Sequence, residues 1–569
     1  MTGGGRRGAL AGCGALLLVT ALALSRTLGH GFVNWDDPHH ITANPLIREL
    51  DLRALFRVPA NQIFHPLAML SWALEYRFVG LEPRLYRIDN LLLHLVNVAL
   101  VLRLVARLVP ERRALRWLVA GVFALHPLQV EAVAWATARK DLLCTALTLA
   151  SWLSWLRFRA QPGAERALGW YLLALAAFAL ALFAKPMAIA LPALLWLGDL
   201  FGRRAAWWRS AAELAPFAAV AAGYGLSVPL TIPAGPDTSQ LPLYGLGPLA
   251  RLGLVFEGVV FYLSKFLWPA RLAIFYDVAA LRLTALDFAR AGGFALGLAL
   301  WLWRRPADRR LALGAALYFL VSWAPVSKLV PFSGNSLYND RYLYLPILGL
   351  AALASLPLLW LLERSASRGA ARIVCALLGA LLALGTHQRS RVWESSLTLW
   401  QDVLANHPQT AIAEHQIGVY WIEEGGDLAR ALAAFEAATR IDPRFTQSWL
   451  RQGLVLAELG EPARAAAALE RAVASAPNDA HTRGVVATFH LEAGNYERAV
   501  AHYEAALRIA PGHPKLENDL GTALLRMGRH AQARAAFERA LAAAGPEERA
   551  RIRANLARVD ALAREQRER

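Results

Sequence analysis

Cysteine and charge are both scarce in this chain of 569 residues. The three cysteines, Cys13, Cys144 and Cys375, lie far apart in apolar stretches. This spacing excludes a disulfide framework or a cysteine-rich metal cluster and predicts buried thiols. Charged residues make up 18% of the chain and hydrophobic residues 56%, whereas a soluble domain usually carries about 25% charge. The composition therefore excludes an ordinary soluble enzyme.

Motifs of soluble catalysis are also missing. The sequence contains no P-loop, no G-x-S-x-G and no dinucleotide-binding glycine pattern. The histidines of the first half show no metal-ligand spacing, which predicts that no transition metal or other cofactor is tightly bound. The net charge of +17 comes from short arginine clusters between apolar runs, a pattern typical of a multi-pass membrane protein and not of a nucleic-acid-binding protein.

The chain has two halves of different chemistry. The first half consists of apolar segments of near membrane length, whereas the second is charged and alanine-rich. We predict an all-α protein, in which a membrane-embedded helical bundle precedes a C-terminal α-solenoid. The predicted parts are a membrane domain at 1–388, a linker at 389–408, about four tetratricopeptide repeats at 409–545 and a C-terminal helix or tail at 546–569.

The repeats are predicted from a regular proline spacing. Successive prolines are 35, 34, 34 and 35 residues apart, which is the period of a tetratricopeptide helix pair. Small and aromatic residues recur in register, as in Gly521 and Phe537, where helices of a pair would pack closely. The prolines are Pro408, Pro443, Pro477, Pro511 and Pro546.

Arginine-rich loops predict the orientation in the membrane. Arginine clusters alternate between the apolar segments, and the positive-inside rule places these loops, with the N-terminus, in the cytoplasm. Eleven spans follow if 250–268 is re-entrant or interfacial, so the repeats of this multi-pass inner or plasma membrane protein would lie outside the cytoplasm. The spans are predicted at 8–28, 88–109, 114–130, 141–158, 168–185, 187–201, 212–231, 288–303, 311–330, 342–362 and 371–387.

The first outer loop carries two adjacent carboxylates, Asp36 and Asp37. Repulsion between neighbouring carboxylates raises the pKa of one of them, which suits a general base. The alternative is a turn or helix cap before Pro38, a common use of Asp-Pro.

The second outer loop carries Glu131, Trp135 and Arg139 at a helical spacing, followed by Asp141. One helical face with a carboxylate, an aromatic ring and a guanidinium would suit a sugar and a phosphate. The alternative is an internal salt bridge between Glu131 and Arg139.

Cations also lie on the outer side, where the positive-inside rule does not explain them. Lys328 and Arg341, the latter next to Asp340, would lie at the outer membrane surface and indicate an anionic head group as the partner. Lys185 and Lys265 are further outer cations, each of which alone could be a snorkelling lysine or a helix cap.

These loops, taken in order, resemble a known family: the transmembrane-and-tetratricopeptide-repeat protein O-mannosyltransferases and their bacterial relatives, which are type C glycosyltransferases. The sequence departs from the family pattern at Asp340, where the family usually has Glu, and at Lys328, where it usually has Asn. The resembling motifs are FVNWDD at 32–37, HPLQVEAVAW at 126–135, RKDLL at 139–143, PVSK at 325–328 and DRYLYLP at 340–346.

The resemblance implies transfer of a sugar, mannose or a similar hexose, from a polyprenyl-phosphate carrier to an acceptor hydroxyl on the non-cytoplasmic face, with inversion. Asp36 or Asp37 would be the base, and the repeats would bind a protein acceptor at Ser or Thr. This chemistry neither requires nor forbids a divalent metal. The implied substrate-binding residues are Glu131, Trp135, Arg139, Asp141, Lys265, Lys328, Asp340 and Arg341.

Two other function classes compete with this interpretation. A non-enzymatic scaffold would use the membrane part only to anchor the repeats, and its outer acidic residues would cap helices. A transporter would place ionisable residues at mid-span, whereas here they gather at one membrane face.

Overall fold

The computed structural model describes residues 3–57, 64–161, 164–231, 247–276, 283–329, 337–364 and 366–568. Throughout these ranges the chain is helical and forms no β-strand, which agrees with the predicted fold class. Two compact units follow one another, 1–406 and 407–569.

Eighteen α-helices are described in the first unit, and most of them contain the apolar segments that the sequence predicted as spans. These helices are α1 (Gly3–Leu24), α2 (Pro45–Glu49), α3 (Leu52–Leu55), α4 (Pro66–Val79), α5 (Pro83–Leu108), α6 (Leu115–Leu125), α7 (Val130–Ala134), α8 (Arg139–Ala160), α9 (Ala164–Ala184), α10 (Leu191–Gly202), α11 (Trp207–Glu213), α12 (Ala215–Thr231), α13 (Pro248–Leu267), α14 (Ala285–Arg304), α15 (Arg309–Trp323), α16 (Ile347–Glu363), α17 (Arg368–Ser390) and α18 (Ser396–Asn406).

Several of these helices are long and apolar enough to cross a membrane, which makes the chain a multi-pass membrane protein. Their outward faces carry exposed leucines, such as Leu18 on α1 and Leu381 on α17, as lipid contact requires. In the described residues, five helical segments meet the length and composition of a span: Arg7–Gly29, Pro83–Leu108, Glu165–Ala184, Ala285–Arg304 and Arg368–Trp393.

The number of spans is smaller by this measure than the eleven predicted. A sixth span is possible if α6 and the segment Pro127–Ala134, which bend by 54° at their junction, cross together. Other predicted spans correspond to shorter helices: α10 has 12 residues, α15 has 15, and α12 and α16 have 17 each. A helix rises about 1.5 Å per residue, so these helices are shorter than the ~30 Å hydrocarbon core. Eleven spans therefore remain a prediction.

The first outer segment folds into a small helical cluster instead of an extended loop. Helices α2, α3 and α4 share a core in which Trp72 and Met69 are buried, and Tyr86 of α5 and Ala136 of the second outer loop complete it. This cluster connects the two outer loops that carry the candidate site.

The segment predicted as a linker, 389–408, is not a simple connection. Its last helix, α18, packs on the first outer loop: Ser396 Oγ accepts a hydrogen bond from the Asn34 backbone at 3.0 Å, and Trp400 Nε1 donates to Asn34 Oδ1 at 2.9 Å. The first unit therefore continues to residue 406. No apolar run in the sequence reveals this packing, because its partners lie 362 and 366 residues apart in the chain.

The second unit consists of four helix pairs and a final helix, which confirms the predicted repeats. Glycines allow close packing inside the pairs: a Cβ on Gly521 would lie 2.7 Å from the Phe537 ring. The helices are α19 (Ala411–Glu423), α20 (Leu428–Ile441), α21 (Thr446–Glu458), α22 (Pro462–Ser475), α23 (Ala480–Glu492), α24 (Tyr496–Ile509), α25 (Pro514–Arg526), α26 (His530–Ala543) and α27 (Pro546–Glu568).

The buried-thiol prediction holds for one cysteine only. Cys144 on α8 is buried, whereas Cys13 and Cys375 are partly exposed. The two partly exposed thiols lie on α1 and α17, whose outer faces are apolar.

Candidate functional site

The two adjacent carboxylates have different environments. Asp37 is completely buried: its Oδ2 accepts a hydrogen bond from the Val33 backbone at 2.9 Å, and its Oδ1 accepts from both the backbone amide and the hydroxyl of Thr137. Asp36 keeps 22% of its side chain exposed and lies 3.8 Å from Nζ of Lys140. The acidic pair thus consists of one accessible carboxylate and one that connects the first outer loop to the second.

Burial raises the pKa of Asp37, and the Arg87 guanidinium opposes this shift. The sequence attributed a raised pKa to repulsion between Asp36 and Asp37, but the cause in the structure is desolvation. Asp37 contacts Val33 and Thr137, whereas Asp36 faces Lys140, so the two carboxylates have different surroundings.

The second outer loop does not form the single helical face that the sequence predicted. Helix α7 ends after Ala134, Trp135 adopts an extended conformation (φ −91°, ψ 123°), and α8 begins at Arg139. The helix break separates Glu131 from Arg139, so the shared face and the internal salt bridge between them are both wrong.

Glu131 instead forms an ion pair with Arg341. Its carboxylate accepts from the Arg341 guanidinium and, at 3.2 Å, from the Arg341 backbone amide. The guanidinium also donates to Asn339 Oδ1 at 3.2 Å and lies 4.9 Å from the centre of the Trp135 ring. A carboxylate, a guanidinium and an aromatic ring do meet here, as predicted, but the arginine comes from a loop 210 residues away.

Arg139 has a structural environment. It is 98% buried, with an ion pair to Glu75, a hydrogen bond to Asn90 Oδ1 at 3.0 Å and another to the Tyr86 carbonyl at 3.0 Å. These contacts use donors on all three guanidinium nitrogens to hold α4, α5 and α8 together. The structure therefore does not bring Arg139 to the other cations.

A cleft lies beside Arg341. Its polar lining includes Arg341 and the ion pair between Asp141 and Lys185. Apolar side chains, among them Met187 and Leu194, line the rest. A cleft that combines two cations with apolar side chains matches the chemistry of a lipid phosphate.

Lys140 connects the cleft to Asp36. Its ammonium lies 5.9 Å from the centre of the Trp135 ring, and the Arg341 guanidinium lies 4.9 Å from the same centre. The electrostatic interactions of Arg341 also extend to Asp141 and Asp36. Asp36, Trp135, Asp141, Glu131 and Arg341 therefore belong to one polar network.

Asp340 and Lys265 lie in a neighbouring cluster. Tyr276 donates a hydrogen bond to Asp340 at 2.8 Å, and burial together with the charge of Glu131 raises the pKa of Asp340 to about 7. Lys265 donates to the carbonyls of Ala270 and Arg271 at 2.9 and 2.8 Å. With these contacts Lys265 caps the loop that follows α13, which is close to the helix-cap alternative.

Lys328 is 96% buried and adopts the left-handed conformation (φ 65°) that L residues rarely occupy. It follows α15 within the PVSK motif, and its electrostatic interaction with Arg341 places it near the polar network. The left-handed backbone at Lys328 lies in the loop that follows α15, which ends at Trp323.

Sequence reasoning missed or undervalued three residues of this network. Lys140 stood within a quoted motif but was not singled out, although it is a cation on the predicted outer side. Lys185 was treated as a weak signal, and only its pairing with Asp141 gives it a place in the cleft. Thr137 carried no signal, because its importance comes from its contact with Asp37, 100 residues away.

Comparison with known families identifies the second unit. Sequence models described as tetratricopeptide repeat match residues 423–480, 450–514 and 490–558. Similar solved structures include MamA (20% identity, TM-score 0.25, covering 27% of this chain and 84% of that one). Another is YrrB, described as a TPR protein with an unusual peptide-binding site (20% identity, TM-score 0.24, covering 30% of this chain and 85% of that one).

The curated relatives extend the similarity into the first unit. Protein O-mannosyl-transferase TMTC3 of Mus musculus is 23% identical over 429 residues, which are 68% of this chain and 45% of that protein. Protein O-mannosyl-transferase Tmtc1 of Drosophila melanogaster is 35% identical over 162 residues, 26% of this chain and 18% of that protein. The chain thus spans less than half the length of these relatives. Membrane helices, repeats and these similarities together make the chain a distant relative of the transmembrane-and-tetratricopeptide-repeat proteins named protein O-mannosyl-transferases.

Proposed function

We propose that this protein transfers a hexose from a polyprenyl-phosphate carrier to a hydroxyl group of a protein Ser or Thr, on the non-cytoplasmic side of the membrane. The observation that carries the proposal is the polar network that joins an accessible carboxylate, Asp36, to a cleft lined by Lys185, Arg341 and apolar side chains. The similarity to protein O-mannosyl-transferases supports the reaction class.

In the proposed reaction the acceptor oxygen attacks the anomeric carbon and inverts it. Asp36 takes the proton of the acceptor hydroxyl, and the electron pair of the broken C–O bond leaves with the lipid phosphate. Lys185 and Arg341 stabilise that phosphate, because charge-assisted hydrogen bonds strengthen as the leaving group gains charge. Lys140, whose ammonium lies 3.8 Å from the Asp36 carboxylate, orients that carboxylate.

The other residues hold these groups in place. Glu131 and Trp135 orient the Arg341 guanidinium, and Asp141 orients Lys185. Asp37 and Arg139 are structural in this proposal, because their polar atoms are already used in buried contacts. Membrane lipid surrounds the first unit, and the repeats bind the protein acceptor, since a concave solenoid suits an extended segment.

Binding of polyprenyl-phosphate mannose tests the proposal. Hydrogen bonds to charged groups contribute about 1.5–3 kcal/mol, so Arg341→Ala should weaken donor binding by about tenfold or more. Because this change leaves Glu131 buried without its partner, the double variant Glu131→Gln/Arg341→Met, which removes both charges, serves as a second test. Arg53→Ala, at an exposed arginine of α3, is the matched control and should bind as the parent does. Unchanged donor affinity in both folded Arg341 variants would refute the phosphate site.

A scaffold function remains the second candidate. It is favoured by the repeats, which are the part of the chain that the family models match. It predicts that the purified protein binds no sugar lipid at all, so the same binding measurement separates the two functions.

A further inference from the structure

A cluster of two histidines and one glutamate lies within the second unit. Glu470 is on α22, His490 on α23 and His502 on α24, so the cluster joins three successive helices from two neighbouring repeats. The possible ligand atoms of these residues all lie within 4.8 Å of one another.

Both imidazoles are directed at the same carboxylate oxygen. Nε2 of His490 lies 3.4 Å from Glu470 Oε1, and Nε2 of His502 lies 3.1 Å from it. The two rings stack, with centroids 5.6 Å apart and planes 13° from parallel. Tetrahedral zinc bonds of about 2.0–2.1 Å place ligand atoms roughly 3.3 Å apart, so both measured distances match the separation of ligands around one ion.

We propose that Glu470, His490 and His502 bind a divalent transition-metal ion of the Zn²⁺ class, which connects the second and third repeats. Imidazole and carboxylate donors suit Zn²⁺ and its neighbours in the first transition row. The His490 side chain is fully buried and that of His502 is 14% exposed, whereas Glu470 is 44% exposed and gives the ion a path from solvent. Water completes the coordination on that open side.

The surroundings of the rings set the expected affinity. Nδ1 of each histidine is buried and has no hydrogen-bond partner within the described part of the chain. A metal on Nε2 leaves the ring proton on Nδ1, and metal-binding histidines that lack an acceptor for that proton bind about 10- to 100-fold more weakly. We therefore expect a micromolar dissociation constant, weaker than that of a structural zinc site.

Metal titration of the full-length protein, purified in detergent without a histidine tag, tests the site. Zn²⁺ binding is measured by competition with a chromogenic chelator, and Co²⁺ serves as a spectroscopic probe of the ligand set. We expect one saturable site per chain, with intense visible absorption from tetrahedral Co²⁺. Glu470→Gln and His502→Asn should each weaken Zn²⁺ binding by at least about tenfold, because each removes one of three ligands.

His481→Asn is the matched control, since His481 is exposed on α23, the same helix as His490. It should leave both the Zn²⁺ affinity and the Co²⁺ spectrum unchanged. Absence of saturable binding would overturn the proposal and leave the cluster as hydrogen bonds between two imidazoles and a carboxylate. Equal loss of affinity in the His481 variant would overturn it as well, because binding would then reflect scattered surface histidines.

Discussion

At the residue scale, the difference between Asp36 and Asp37 is the most informative feature of the candidate site. The two carboxylates are adjacent in sequence, yet one is accessible beside a lysine and the other is buried against two backbone amides and a hydroxyl. A general base must reach the substrate proton. Burial thus assigns the two neighbours to different roles in the proposed reaction.

Substitution of each carboxylate by its amide separates these roles. Asp36→Asn should lower sugar transfer by about 10²- to 10⁴-fold, the usual cost of losing a general base, and should leave the melting temperature unchanged. Asp37→Asn should lower the melting temperature, because its new NH₂ group would face a hydrogen-bond donor in the buried contacts. Transfer rates and melting curves of both variants are the measurements. Parent-like transfer by folded Asp36→Asn protein would remove Asp36 from the mechanism.

The raised pKa of Asp340 predicts a pH dependence of stability. Its pKa is about 7 in the folded protein and returns to its ordinary value, near 4, on unfolding. The folded state therefore holds the proton more tightly, and its contribution to stability, present below about pH 4, is lost as the pH rises through 7. Between pH 5 and pH 8 the melting temperature of the parent should fall relative to that of Asp340→Asn. The exposed Asp51 provides the control, because Asp51→Asn should keep the parental slope.

At the scale of helices, close packing between α15 and α16 supports the loops that carry Lys328 and Arg341. A Cβ on Gly349 of α16 would lie 2.5 Å from the Ala315 carbonyl oxygen and 2.9 Å from the Phe319 backbone nitrogen. Backbone atoms of a packed helix cannot move aside as a flexible side chain can. Glycine at this position thus sets the distance between the two helices.

Gly349→Ala should consequently destabilise the first unit by about 1–3 kcal/mol, the usual cost of overpacking. The measurement is thermal or denaturant unfolding in detergent. Gly379→Ala on α17, where a new Cβ meets nothing within 4 Å, is the matched control and should be neutral or slightly stabilising, because alanine favours helix. Equal stability of the two variants would show that α15 and α16 separate easily.

At the scale of the whole molecule, orientation decides whether the site can meet a lipid-linked sugar and an acceptor outside the cytoplasm. The arginine loops predict eleven spans, and an odd number places the repeats opposite the N-terminus. Within the part of the chain that the structure describes, five or six spans are supported by length and composition alone. Shorter apolar helices must cross in pairs or in a thinned bilayer for the larger count to hold.

A reporter fused after residue 569 tests this orientation. An enzyme that is active only outside the cytoplasm should be active in the fusion, whereas one that works only inside should be silent. As the control, the same reporters are fused after residue 113, in a predicted cytoplasmic loop, to a chain that ends there. This fusion should give the reverse result. Activity of the cytoplasmic reporter after residue 569 would contradict the predicted topology and the side on which the proposed reaction occurs.

The sequence by itself determined the features that repeat locally. A 34- to 35-residue proline period predicted the solenoid, and long apolar segments predicted a membrane bundle, because helix pairs and spans are set by residues close in the chain. It also identified Asp36, Glu131 and Arg341 as unusual charges on one predicted side.

Only the tertiary structure decided how these charges combine. Arg341 pairs with Glu131 across 210 residues, and Arg139, which shares the helical spacing of Glu131, turns to Glu75 because the helix breaks at Trp135. Likewise, Lys185 pairs with Asp141, and the two histidines of the repeats contact Glu470. Periodicity describes neighbours on one helix, whereas a buried charge takes the nearest partner that packing supplies, whatever its distance along the chain.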